Sequence, residues 1–291
     1  MRYDSDTNNK SLIQSVCKAY KILELFGDKA VLNFSEINER LALPQATLYR
    51  FLSTLVACGL LDVDAKSKMY SLGPSIIYLG ASAISSINIV ELARPYMEKL
   101  KEETKETISL FIRKGFNKIC IAKVEGDYTV RYSAKIGAPF YLHGGASGNV
   151  LMSGMTAKEI DALEREVGFP KLTKYTITER ARINENLAQT RANGYWISYK
   201  ERRDDTAGIG VPVFDHNGQV IASLNITLPS TRFDKEKIKL WLPLLMDAGR
   251  QISRKNGYIT EKSDSKLSLQ DDLCASVFEK QMEGIDSNGR E

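Results

Sequence analysis

The sequence predicts an α+β protein in two parts: an N-terminal winged helix-turn-helix, joined by a linker helix to a larger domain with an antiparallel sheet. Three observations predict it. Between Ser15 and Leu72, three helical patterns with a sharp break at Pro44 are followed by two short β-runs. Beyond Thr107 the pattern changes to β-runs interrupted by helices and closed by a last helix, the order of an α+β domain. Asn217-Gly218 between two apolar runs marks a tight antiparallel hairpin.

The N-terminal elements follow from spacing. Val16, Ala19, Ile22, Leu23 and Phe26 share one helical face, and Gly27-Asp28 ends that helix. Ser35 is expected to cap a short second helix with Ile37 and Leu41 inward, although Glu39 falls one place late for a capping box. Pro44 disfavours helix at Leu43 and suits the first turn of a third helix. There Leu48, Phe51, Leu52 and Leu55 form the buried stripe, and Gly59 closes the helix. Leu60–Val63 and Met69–Leu72 form the hairpin, and Pro74 opens a small-residue helix expected to pack on a partner chain.

In the second part, a helix through Pro95 spans Ile89–Glu103, and Thr107–Arg113, Lys118–Val124 and Val130–Lys135 read as strands. Gly144–Gly148 leads into a short helix ending at Ser153. Thr156 and Glu159 have capping-box spacing before a helix over Ala157–Val167. A helix over Ile183–Asn193 stops at Gly194, strands Gly210–Asp215 and Gln219–Leu228 flank the hairpin turn, and a last helix covers Lys235–Asn256. The domain reading is a disordered arm over 1–11, the winged helix over 12–73, the linker over 74–88, the larger domain over 89–258 and a polar extension over 259–291. In that extension Leu269, Leu273, Val277, Phe278 and Met282 suggest an amphipathic helix.

Composition bounds the function. The net charge of +4 is too modest to argue for nucleic acid by itself, so the DNA reading rests on pattern. The four cysteines form no C-x-x-C pair, and two histidines leave little for a metal site; no metal or cofactor is expected. The N-terminus has no signal-peptide core and no stretch is long and apolar enough for a membrane span, so a cytoplasmic location is expected.

Two segments carry a family resemblance. SEINERLALPQATLYRFLSTLVACGLL, followed by YSLGPSIIYLG, resembles the DNA-binding half of the IclR family of bacterial transcriptional regulators. LARPYMEKLKEETKET, YLHGGASGNVLMS, RANGY and GIGVPVFDHNGQVIASLNIT stand in the order of that family's effector-domain motifs, so the resemblance covers about residues 14–258. It implies a GAF-like effector domain, a homodimer or tetramer, double-stranded operator DNA and a small organic-acid effector as partners. The expected function is sequence-specific transcriptional regulation, favouring a repressor, with operator affinity modulated by the acid.

Candidate residues follow. A recognition helix presents its N-terminal turns to base edges, which points to Gln45, Thr47, Tyr49 and Arg50, since Gln pairs with adenine and Arg with guanine. The resemblance singles out Thr47 and Arg50. Lys66 and Lys68 on the wing suit phosphates or the minor groove. For the ligand, the Gly-rich loop opening a helix offers free amides to an anion. The resemblance implies effector contacts at Ala146 and Ser147, pocket walls at Thr206 and Gly208, and ligand positions at Asn225 and Thr227. Ser198 stands where relatives that bind keto acids often carry aspartate, and Asn149 where the family often has lysine; no free lysine is needed to hold the acid.

Two alternatives compete with this reading. His143-Gly144-Gly145 and Gly145-Ala146-Ser147-Gly148 have the letters of a hydrolase oxyanion loop and nucleophile elbow. Asn149 stands where the elbow needs glycine, and the two motifs are fused rather than far apart. A constitutive architectural DNA-binding protein would need neither a pocket loop nor so large a second domain.

Overall fold

The computed structural model describes residues 12–86 and 88–259, and the chain divides into two compact units between Ile87 and Asn88. The arm over 1–11 and the suggested helix through Leu269–Met282 lie outside the described residues.

The first unit runs α1 (Gln14–Asp28), α2 (Phe34–Leu41), α3 (Gln45–Ala57), β1 (Leu61–Val63), β2 (Tyr70–Leu72) and α4 (Pro74–Ser86). Its core is Ile22, Phe26, Leu32, Ile37, Leu48, Leu52, Leu55 and Leu61. The cap of α2 differs from expectation. Asn33, not Ser35, is the N-cap: its Oδ1 accepts the Glu36 amide at 2.9 Å while the Glu36 carboxylate accepts the Asn33 amide at 2.8 Å. Asn33 takes the cap because Leu32 is held extended by a bridge to Tyr70, leaving Ser35 already inside the first turn. Ala42 then takes a left-handed conformation (φ 49°), which turns the chain toward α3.

The second unit runs α5 (Ile89–Thr104), β3 (Thr107–Lys114), β4 (Asn117–Val124), β5 (Pro139–Tyr141), α6 (Gly145–Ser153), α7 (Ala157–Glu166), α8 (Arg180–Asn193), β6 (Trp196–Tyr199), β7 (Thr206–Phe214), β8 (Val220–Pro229) and α9 (Lys235–Lys255). One six-stranded sheet, ordered β5-β4-β3-β8-β7-β6, is antiparallel throughout. Alternation sends Ile108, Leu110, Ile209, Val211, Leu224 and Ile226 to a face packed with Met97, Leu100, Leu245 and Ile252 of α5 and α9. The opposite face meets α6, behind which lies α8.

Two strand expectations change. Val130–Lys135 is not a strand; side chains organise it instead, with the Arg131 guanidinium donating to Glu125 at 2.6 Å and the Ser133 hydroxyl at 2.8 Å. The strand that pairs with β4 at that edge of the sheet is β5. The sequence reading also missed β6, which pairs Trp196–Tyr199 with Gly210–Ala207.

Candidate functional site

The first unit exposes a reading surface on α3. Burial of Leu48, Leu52 and Leu55 turns the opposite side outward, leaving Gln45, Tyr49 and Arg50 exposed and Thr47 half-buried. Pro44 is the N-cap, extended at φ −53° and ψ 132°, so the chain enters α3 abruptly. On the wing, Asp64 Oδ1 accepts the amides of Lys66 (3.1 Å) and Ser67 (2.6 Å), closing the turn. Lys66 and Lys68 are both exposed there.

In the second unit, the sheet face against α6 holds a cavity. Strand register builds its floor: Ser198 lies opposite Gly208 and Gly208 opposite Thr227, with Asn225 one pleat along opposite Gly210. Gly210 allows α6 to approach, because a Cβ there would sit 2.4 Å from Asn225 Oδ1 and 3.2 Å from the Ala146 backbone. Gly145 opens α6 at φ 78°, a left-handed conformation that suits glycine. The amides of Ala146 and Ser147 follow in the first turn, and no acceptor in the described residues pairs with either.

All seven predicted ligand residues, Ala146, Ser147, Ser198, Thr206, Gly208, Asn225 and Thr227, line this one cavity. Asn225 is among those already partly committed. The Asn225 amide nitrogen donates to the Ser223 carbonyl at 2.8 Å, and its Oδ1 accepts the Ser223 hydroxyl at 3.2 Å.

A lysine nevertheless lines the cavity. This is Lys118, 1% exposed, and its ammonium donates to the Gly144 carbonyl and, at 2.9 Å, to the Ser147 hydroxyl. A β-bulge puts it there. Leu110 lies opposite Ala122, but Phe111 lies opposite Cys120, so Ile121 is unopposed and the alternation of β4 reverses. Asn149, at the position where the family often has lysine, instead accepts the Thr190 hydroxyl at 2.8 Å and ties α6 to α8.

Two further charges escaped the sequence reading. Arg202 lines the cavity with its guanidinium 4.5 Å from the Tyr132 ring centroid. Burial pushes the Glu201 carboxyl up to about 7, against hydrogen bonding from the Ser198 hydroxyl, the Lys118 charge and the Gly145 amide. Burial also holds Lys118 well below the ordinary lysine range; Arg202 adds to that and Glu201 opposes it. Their loop, between β6 and β7, carries no periodic signal that would have marked either residue.

Family models for the IclR helix-turn-helix domain and for the C-terminal domain of the bacterial transcriptional regulator IclR match residues 15–65 and 81–254. The chain belongs to the IclR family. It is 32% identical to the transcriptional regulator KdgR of Escherichia coli K12 over 84% of its own length and 94% of that protein's. It is 33% identical to the regulator KipR of Bacillus subtilis, covering 84% and 98%. The crystal structure of the Thermotoga maritima IclR protein superposes with a TM-score of 0.56 at 29% identity, covering 84% of this chain and 99% of that one. The Agobacterium tumefaciens repressor BlcR shares the fold at a TM-score of 0.71 and 23% identity, covering 85% and 99%.

As an IclR-family member, the chain is a transcriptional regulator that binds operator DNA and responds to a small-molecule effector; it is not an enzyme. His143 Nε2 lies 2.9 Å from the Pro170 carbonyl, and the Ser147 hydroxyl is held by Lys118. No helix among the described residues is long and apolar enough to cross a membrane.

Proposed function

We propose that this regulator is a cytoplasmic, oligomeric repressor, with a homodimer or tetramer as its working form. In this reading α3 reads base edges through Gln45, Thr47, Tyr49 and Arg50, while Lys66 and Lys68 contact phosphates. A small organic acid docks on the Ala146 and Ser147 amides, with Ser198, Thr206, Gly208, Asn225 and Thr227 around it. The observation that carries it is the convergence of unpaired α6 amides and buried Lys118 on one polar cavity. An ammonium out of water is strongly disfavoured without a counter-charge, and a ligand carboxylate supplies one. Lys118 therefore joins the ligand contacts, taking the role that the sequence reading left without a lysine.

Dimerisation is supported by exposed apolar side chains on the first unit: Val16 and Tyr20 on α1, and Ile77, Tyr78 and Leu79 on α4. Effector and operator then share one assembly, each shifting the other's affinity by typically about 1–3 kcal/mol. The test is a thermal-shift screen of carboxylates on the full chain, followed by operator footprinting with each hit. Expected are a stabilising acid that changes operator affinity, and loss of its shift in Lys118→Met. An acid that shifts both proteins equally would place the ligand elsewhere.

A further inference from the structure

A second cavity adjoins the first, and the two share a single residue, Arg202. The outer chamber is lined by Asn117, Pro139, Phe140, Tyr141, Leu172, Arg202 and Arg203, with about 870 Å³ of empty space including its mouth. The chambers differ in chemistry. The inner one presents Lys118, Ser147, Ser198, Thr206, Asn225 and Thr227. The outer one presents mainly ring and aliphatic carbon, from Pro139, Phe140, Tyr141 and Leu172.

Arg202 forms the partition. Its Cβ and Cγ lie over the start of α6, where a Cβ at Gly145 would be 3.5 Å from Arg202 Cβ and one at Gly144 3.4 Å from Arg202 Cγ. Its guanidinium is 4.5 Å from the Tyr132 ring centroid, in the inner chamber, and 5.0 Å from the Phe140 centroid, in the outer. Among the described residues it makes no hydrogen bond or ion pair, although a guanidinium carries five donors. Its neighbour Arg203 is forked onto Asp205, with two contacts of 2.9 Å. The outer chamber thus has one cation with no hydrogen-bond or ion-pair partner among the described residues, set near two rings, and walls that are otherwise mainly apolar.

We infer that the outer chamber is a second subsite of the same effector, which is an acid bearing an aromatic ring. Its carboxylate sits in the inner cavity beside Lys118, and its ring lies in the outer chamber against Phe140 and Arg202. This rests on the acid-binding reading above. A second acid group is disfavoured in the outer chamber, because Arg203 is already paired with Asp205 and the Arg202 guanidinium is packed against the Tyr132 and Phe140 rings. A planar ring suits it: guanidinium planes stack on aromatic faces, and Phe140 and Tyr141 supply apolar contact.

The test uses propanoate, 3-phenylpropanoate and 3-phenylpropanamide in titration calorimetry on the full chain. The aryl acid should bind about tenfold or more tighter than propanoate, given the apolar area its ring removes from water, and the amide should lose that affinity. Pro139→Trp, which fills the outer chamber from the edge strand, should abolish the gain and spare propanoate. Tyr141→Ala removes a wall instead of filling the space and should reduce the gain, which guards against a folding defect in the tryptophan variant. Equal affinity of the two acids overturns the inference while leaving the acid reading intact. So does a Pro139→Trp loss that falls equally on both acids. No binding by either acid, or an amide as tight as its acid, overturns the acid reading and the inference with it.

Discussion

Helices α3 and α6 both turn their first turns toward a partner in the proposed function, yet they are built in opposite ways. In α3 the buried residues are Leu48, Leu52 and Leu55, and the side chains on the other side carry the information. In α6 all nine residues are buried. Apart from Asn149, which is tied to α8, its side chains are small or apolar, and what it offers is backbone: the amides of Ala146 and Ser147. A helix that reads by side chain must be amphipathic and exposed. A helix that reads by backbone must be enclosed, because a free amide attracts an anion strongly only where water is excluded.

The sharpest way to break this comparison is to remove an amide. Ser147→Pro deletes one donor in the first turn, where a helix tolerates proline because that N–H has no intrahelical partner. Ligand response should vanish, with operator affinity of the ligand-free protein retained. Ser147→Ala keeps the amide, drops the hydroxyl that Lys118 holds, and should weaken the response mildly. Thermal unfolding checks that both variants are folded. A folded proline variant that still responds to the acid would show that α6 does not read by backbone.

The same operation on α3 must act through a side chain. Arg50→Ala leaves every backbone group in place and should lower operator affinity by about 1–3 kcal/mol if Arg50 reads a base. Gel-shift titrations on operator and random duplex decide it. Equal losses on the two would reduce Arg50 to a phosphate contact.

This contrast explains what was legible beforehand. The fold of the first unit could be read because α3 shows its period openly and Pro44 punctuates it. The cavity residues could be named only through the family resemblance, since Ser198, Gly208, Asn225 and Thr227 meet by strand register and not by any spacing along the chain. Lys118 was hidden by a reversal. Lys118-Ile119-Cys120-Ile121-Ala122 alternates as if the isoleucines faced one core and Lys118 faced water, and the bulge at Ile121 undoes that inference. The α2 cap failed for a related reason, since the Leu32–Tyr70 bridge that fixes Asn33 joins residues far apart in sequence.

The wing sharpens the comparison on the exposed side. Lys66 and Lys68 lie in solvent, so their action is screened by salt. Lys66→Ala with Lys68→Ala should weaken binding to all duplexes alike. The slope of log affinity against log salt should fall by about 0.9 for each phosphate that is no longer neutralised. An unchanged slope would take the wing out of the interface.

Around α6 Lys118 is buried and Glu201 half-buried, and the corresponding variable is pH. Glu201 has its carboxyl pushed up to about 7 from an ordinary 4.5, chiefly by burial. Between those values the folded protein keeps a proton that the unfolded chain has released. The unfolded state therefore binds fewer protons, and stability falls as pH rises across the window, by no more than about 1.4 kcal/mol per pH unit for a single group. The effect is absent below pH 4.5 and complete above about 7. Lys118 acts in the opposite sense: burial lowers its proton affinity, so its contribution raises stability as pH climbs toward 10.5. Substitution separates the two. Glu201→Gln is neutral throughout and should gain stability relative to the native chain from pH 4.5 to 7, as denaturant unfolding at each pH would measure. Acid binding should follow the same proton, because a carboxylate ligand is repelled by an ionised Glu201 and not by a protonated one. Propanoate affinity should therefore be higher about one pH unit below the Glu201 value than about one unit above it in the native chain, with that difference reduced in Glu201→Gln. Parallel stability profiles for the two proteins would show that Glu201 is solvated well enough to titrate normally, and the enclosed character assigned to the α6 site would fail with it.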